Sequence, residues 1–145
     1  MRLRHRVPSV IAAVFVTAAL AAGGGSSAAA KPTRSSAWCA GSMTWKAARS
    51  QVGELVRVKA RVVTAYYARS SRGRPTFLDL GYAYPNRSRL TLLIWGRDRV
   101  NFPSAPERMF RAGTMVCAQG VVSTYRGVTQ IEVALWDRSS RLLSF

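Results

Sequence analysis

The side chains that could do chemistry in this chain are arginines and aromatic rings, set between short apolar runs. Arg69, Arg72 and Arg74 share one polar stretch, Tyr84 and Arg87 flank Pro85-Asn86, Trp95 follows Leu90 to Ile94, and Tyr125-Arg126 precedes Gly127. Guanidinium groups neutralise phosphates and flat rings stack on bases, each stacked base being worth ~1–3 kcal/mol. Together they form a nucleic-acid-binding set: Arg69, Arg72, Arg74, Tyr84, Arg87, Trp95, Tyr125 and Arg126. Tyr66 and Tyr82 are further rings near the same strands. Plainer roles stand beside this one. Phe77 is expected in the core, Trp95 serves core or stacking equally well, Tyr84 could wedge the turn at Pro85, and the loop arginines could be solvated charges.

Catalytic groups are few. Beyond residue 30 the chain holds no histidine and six acids, Glu54, Asp79, Asp98, Glu107, Glu132 and Asp137, none paired at short spacing. General acid–base catalysis normally draws on such groups. Asp79 and Asp98 with Arg97 and Arg99 are the set a metal-dependent nuclease would use. The plainer reading makes Asp98 a turn residue and pairs Asp79 with an arginine. No phosphate-cradling glycine loop, nucleophile elbow or thiol–histidine pair is present. A non-enzyme is expected, with no cofactor and no metal.

Arg2, Arg4 and Arg6 precede a run from Val10 to Ala22 that is apolar except for Thr17, and small residues follow to Ala30. This is the layout of a secretory signal peptide over residues 1–30. The run falls short of the ~20 residues of a membrane-spanning helix, so no span is expected after cleavage. Residues 31–41 read as a linker and N-terminal segment, and 42–145 as one domain. Cleavage removes three of the 22 Lys and Arg and none of the six acids, leaving a net charge of +13. Polyanions are the partners such a charge suits: nucleic acid, anionic headgroups or acidic wall polymers. An arginine-rich codon bias would give the same charge with no partner at all. Cys39 and Cys117 are expected to form a disulfide in a secreted or envelope compartment. Closing so long a loop would stabilise by about 4 kcal/mol.

The elements that would position these residues are mostly strands. Ser42 to Val52 reads as a short helix stopped by Gly53. Glu54 to Ala68 is a long strand whose alternation, Val56, Val58, Ala60 and Val62, changes phase at Val62-Val63, as a β-bulge would make it. Arg74-Pro-Thr-Phe-Leu-Asp-Leu-Gly81 and Leu90 to Ile94 read as strand, tight connection and strand. Residues 98–112 form a loop with one or two helical turns. Thr114 to Ser123 and Val128 to Trp136 are the fourth and fifth strands, joined by a turn at Thr124 to Gly127. The tail from Asp137 would add a short helix or an edge strand.

Five strands, the first long and bent, with one helical insertion between the third and fourth, make the plan of an OB-fold, a five-stranded Greek-key barrel. The runner-up is an open antiparallel sheet with a terminal helix. The residues also resemble those of small bacterial OB-fold domains, some of them exported, which are similar to the nucleic-acid-binding modules of helicases and tRNA-binding proteins. The resemblance lies in Val52-Gly53, Val56-x-Val58, Val62-Val63, Pro75 to Gly81, Tyr84-Pro85-Asn86, Leu93-Ile94-Trp95, Phe102, Gly113-x-x-Val116, Gly120-Val121 and Tyr125-Arg126-Gly127. It spans about Gln51 to Trp136. Two positions depart from the pattern: Ala60 replaces an expected glycine at the bend, and Asp79 replaces the commoner asparagine. The resemblance implies an all-β OB-fold-like barrel with a short N-terminal helix and a nucleic-acid-binding role. The alternative from the residues alone is an envelope or extracellular protein-interaction module whose basicity is incidental.

Overall fold

Alternation in the long first strand sets the barrel. The computed structural model describes residues 37–134 and 141–144, the side chains of residues 141 and 143 excepted. The expected signal peptide 1–30, residues 31–36 of the linker, and Leu135, Trp136 and Asp137 lie outside the described residues. The chain divides into Met1–Ala30 and Lys31–Phe145, and every described residue belongs to the second unit. Among the described residues no helix is long and apolar enough to cross a membrane.

Strand β1 (Leu55–Tyr67) buries Val56, Val58, Ala60 and Val62 on one face. Its first half pairs antiparallel with β4 (Met115–Tyr125), and its second half with β2 (Thr76–Leu80). One strand serves both neighbours because the register slips between Val62 and Thr64. The bulge adds the local twist that the bend requires, so Ala60 is tolerated where a glycine was expected. β2 pairs with β3 (Leu90–Ile94), β3 runs parallel to β5 (Val128–Glu132), and β5 returns antiparallel to β4. The β1–β4 pairing closes the cycle β1-β2-β3-β5-β4. This is a closed five-stranded Greek-key barrel, the OB-like fold.

Inward residues from all five strands fill it. Leu78, Leu80, Leu90, Leu92, Ile94, Val116, Val122 and Ile131 are almost wholly buried. Phe102 and Phe110 from the β3–β4 connection join them edge to face, with centroids 5.9 Å apart. That connection is a 3-10 turn (Gly96–Asn101) followed by helix α2 (Pro106–Met109). Arg99 clasps the two. Its guanidinium donates to both Glu107 oxygens at 2.8 and 3.3 Å, donates also to the Thr76 hydroxyl, and stacks 3.7 Å over the Tyr67 ring.

Three expectations need correction. The N-terminal helix, α1, spans only Trp45–Ala48 rather than Ser42 to Val52. Thr44 caps its start by accepting from the Ala47 amide. The Ser50 hydroxyl and amide then both take the Ala47 carbonyl, diverting it from a continuing helix. The β2–β3 connection is not tight, since residues 81–89 separate the strands. β5 ends at Glu132 rather than running to Trp136. A sixth strand, β6 (Arg141–Ser144), lies along the outer edge of β4, the edge-strand form expected of the tail. Across β1, Met43 exchanges hydrogen bonds with Arg57 and Lys59, covering the edge that β2 leaves open.

The chain before α1 is tied to the outside of the barrel. Cys117 points outward from β4, opposite in phase to Val116 and Ala118, and is bonded to Cys39 with Cα atoms 6.0 Å apart. Arg57 reinforces the contact by donating to Gln119 and the Ala40 carbonyl while lying 4.8 Å over Trp38.

Candidate functional site

Outward residues of the β1-β2-β3-β5 face form the floor of a groove of about 840 Å³. The strand registers explain the floor. Thr64, Asp79, Thr91 and Gln130 lie side by side across four strands, and Tyr66 and Phe77 occupy the next row. Two loops make the walls. The 81–89 connection supplies Tyr84, Pro85, Arg87 and Arg89, and the β4–β5 turn supplies Tyr125 and Arg126.

The β4–β5 turn is a two-residue hairpin loop, with Tyr125 opposite Val128 in register. Arg126 and Gly127 both have left-handed backbones, φ 49° and 77°, which is the type I′ geometry that matches strand twist. Arg126 stacks 5.4 Å over the Tyr125 ring. The Arg87 guanidinium reaches the same turn, 3.7 Å from where a Cβ on Gly127 would stand. Cations and rings from two separate loops therefore meet across one opening.

The floor is organised by Asp79, which is buried. Its Oδ1 accepts from Arg89 Nε at 3.1 Å and from the Thr91 hydroxyl at 2.8 Å. Its Oδ2 accepts from the Thr64 hydroxyl and the Tyr84 amide, each at 3.1 Å. Arg89 also donates to Thr91 and to the Asn86 carbonyl, and lies 5.3 Å under the Tyr84 ring. A single carboxylate thus ties β1, β3 and the 81–89 loop together. The rings above are wet: Tyr66, Tyr84 and Tyr125 are 65%, 76% and 59% exposed.

Of the eight residues nominated from sequence, Tyr84, Arg87, Tyr125 and Arg126 line this groove together. Arg74 and Trp95 line a second depression of about 550 Å³ with Gly73, Gly96, Arg97 and Val100. There Trp95 is half-buried against Gly73, whose Cβ would stand 2.9 Å from the indole. Arg69 and Arg72 are exposed on the β1–β2 loop and line neither. Phe77, expected in the core, is half-buried and lines the groove. It shares a parity with Asp79 and the opposite parity to Leu78 and Leu80, a signal present in the sequence. Arg89 and Tyr66 also belong to the groove. The phase change at Val63 is what turns Tyr66 outward.

Asp98 lies in the 3-10 turn, 3.7 Å from Arg97 Nε, and does not line the groove that Asp79 underlies. Among the described residues no three His, Cys, Asp or Glu side chains gather as a metal site would.

No protein-family model and no curated protein matches the sequence. Among solved structures, the chain is similar to aspartyl tRNA synthetase from Entamoeba histolytica at 15% identity, covering 72% of this chain and 21% of that one, with a TM-score of 0.45. It is similar to a putative aspartyl-tRNA synthetase from Leishmania major Friedlin at 13% identity, covering 66% and 18%, with a TM-score of 0.38. It is also similar to OBody AM1L10, solved bound to hen egg-white lysozyme, at 14% identity, covering 63% and 85%, with a TM-score of 0.40. The chain spans about a fifth of either synthetase. The barrel assignment rests on strand order and register alone.

Proposed function

We propose that this chain is an exported, non-catalytic OB-fold module that binds nucleic acid, single-stranded or generic, through the groove on its β1-β2-β3-β5 face. The observation that carries the reading is the meeting of Tyr66, Phe77, Tyr84 and Tyr125 with Arg87 and Arg126 over one opening. Rings of this kind take stacked bases without regard to sequence, and the guanidinium groups take phosphates. A rigid turn and an anchored loop hold them, which lowers the ordering cost of binding. Arg74 and Trp95 sit apart from the groove and would act only on a longer strand.

Export is part of the proposal. The basic, apolar and small-residue succession over residues 1–30 supports it, and a buried disulfide suits an oxidising compartment. The net charge of +13 that cleavage would leave makes other polyanions, such as acidic wall polymers, competitors for the same surface. Catalysis is not part of the proposal. Both oxygens of Asp79, the acid a nuclease would recruit, already accept from four donors.

A second reading has its own observation. Val52, Leu55 and Val121 are each at least half exposed, and Leu55 and Val121 are cross-strand partners on the outer face of the β1–β4 ribbon. Exposed apolar side chains of this kind suit a protein partner in the envelope.

The test is a fluorescence-anisotropy titration of the oxidised mature domain with labelled single-stranded DNA, with duplex DNA and an acidic wall polymer as competitors. Displacement by unlabelled single strands at lower concentration than by the wall polymer supports the proposal. Equal displacement by every polyanion reduces the surface to diffuse charge. No binding at low salt moves the reading to the protein partner.

A further inference from the structure

We infer that Asp79 is a positioning residue for the groove, fixing the 81–89 loop so that Tyr84, backed by Arg89, presents its ring to a ligand; the inference rests on the groove being the binding surface. Asp79 lies in the floor of the groove, almost wholly buried, with both oxygens turned to its neighbours. Its two oxygens are divided between two anchors. Oδ2 holds the Tyr84 amide, and Oδ1 holds Arg89 Nε. Both are donor-only groups with no way to accept a hydrogen bond. Thr64 and Thr91 share these oxygens, but their hydroxyls can rotate and accept instead.

That division makes Asp79→Asn an informative substitution. An asparagine has the same shape but one oxygen and one amino group. Whichever way its amide turns, the amino group faces either the Tyr84 amide or Arg89 Nε, and one anchor is lost. The substitution also removes a negative charge from beneath a basic groove. Attraction to phosphates by charge alone would then strengthen, whereas loss of positioning weakens binding. The two effects have opposite signs.

The experiment compares wild type and Asp79→Asn in anisotropy titrations with labelled oligothymidylate, at a temperature where circular dichroism shows both folded. Positioning predicts binding about tenfold weaker in the variant despite its extra positive charge. Equal or tighter binding by the variant overturns the inference and leaves the groove reading standing. No binding by wild type overturns both. Should the variant not fold, amide hydrogen exchange at Tyr84 in the wild-type protein decides: a protected amide supports the anchor, and exchange at the rate of an open loop overturns it.

Discussion

Gly81 holds a left-handed backbone, φ 81°, under the indole of Trp45, and a Cβ there would stand 2.3 Å from the ring. Trp45 in turn meets Tyr82 edge to face at 5.4 Å. An alanine at 81 must therefore bear both backbone strain and a steric clash, costing about 2–4 kcal/mol. Gly53 has a similar backbone, φ 92°, with open space where a Cβ would go, so Gly53→Ala should cost only about 1–2 kcal/mol. Urea denaturation of the two variants checks the difference, and equal losses would contradict the packing. Arg126 offers the opposite experiment. At φ 49° it occupies a turn position that favours asparagine. Arg126→Asn should leave stability unchanged or slightly raised, while lowering the salt slope of single-strand binding by about 0.7. A slope that does not move would remove Arg126 from the interface. At this scale the sequence was only partly readable. That Tyr84, Arg87, Tyr125 and Arg126 share one groove is legible in part, from strand position for Tyr84 and from the loops that Pro85-Asn86 and Gly127 mark for the others. Arg89 was not, since nothing in a single sequence says that Asp79 will draw it under the Tyr84 ring. Strand position groups Trp95 with the others, and the seating of its indole on Gly73 separates it from them.

The β3–β4 connection is held by a clasp that titrates. Hydrogen bonding from Arg99 holds the Glu107 carboxyl below its usual range, against a smaller opposing effect of burial. A carboxylate whose folded pKa is depressed stabilises the fold fully above its unfolded value, about 4.3, and loses that contribution as pH falls through the folded one. Stability of the wild type should therefore fall, relative to Glu107→Gln, as the medium is acidified from about pH 5 to pH 3. Thermal melts across that window check it, and parallel curves for the two proteins would contradict the clasp. The elements themselves were legible where a period was long enough to count. Alternation from Val56 to Val62 reveals β1, and the phase change at Val63 announces its bulge. Apolar spacing alone overextends the helix after Ser42, because it cannot show Ser50 taking the Ala47 carbonyl. The length of the 81–89 connection is hidden for a related reason. Pro85-Asn86 signals a turn locally, but the loop's length follows from the register of Leu80 against Leu90.

For the whole molecule, the disulfide and the closed strand cycle act together. The Cys39–Cys117 bond, 78 residues apart in sequence, clips the N-terminal segment over the outer face of the β1–β4 ribbon. Replacing both cysteines should cost about 4 kcal/mol on the chain-entropy model, visible as a lower urea midpoint. The groove lies on the β1-β2-β3-β5 face, formed by other strand pairs, so the replaced protein should still bind once folded. Binding lost together with the disulfide would place the ligand surface at the N-terminal segment instead. The central claim is that the groove, and not the basic surface at large, binds nucleic acid. It is tested most directly by measuring single-stranded DNA affinity at near-physiological salt for two double variants. Tyr84→Ala with Tyr125→Ala removes two groove rings and no charge, whereas Arg69→Ala with Arg72→Ala removes two charges outside the groove. The account predicts that the ring variant loses at least about tenfold in affinity, more than the arginine variant does. A ring variant that binds like wild type, beside an arginine variant that does not, would contradict it.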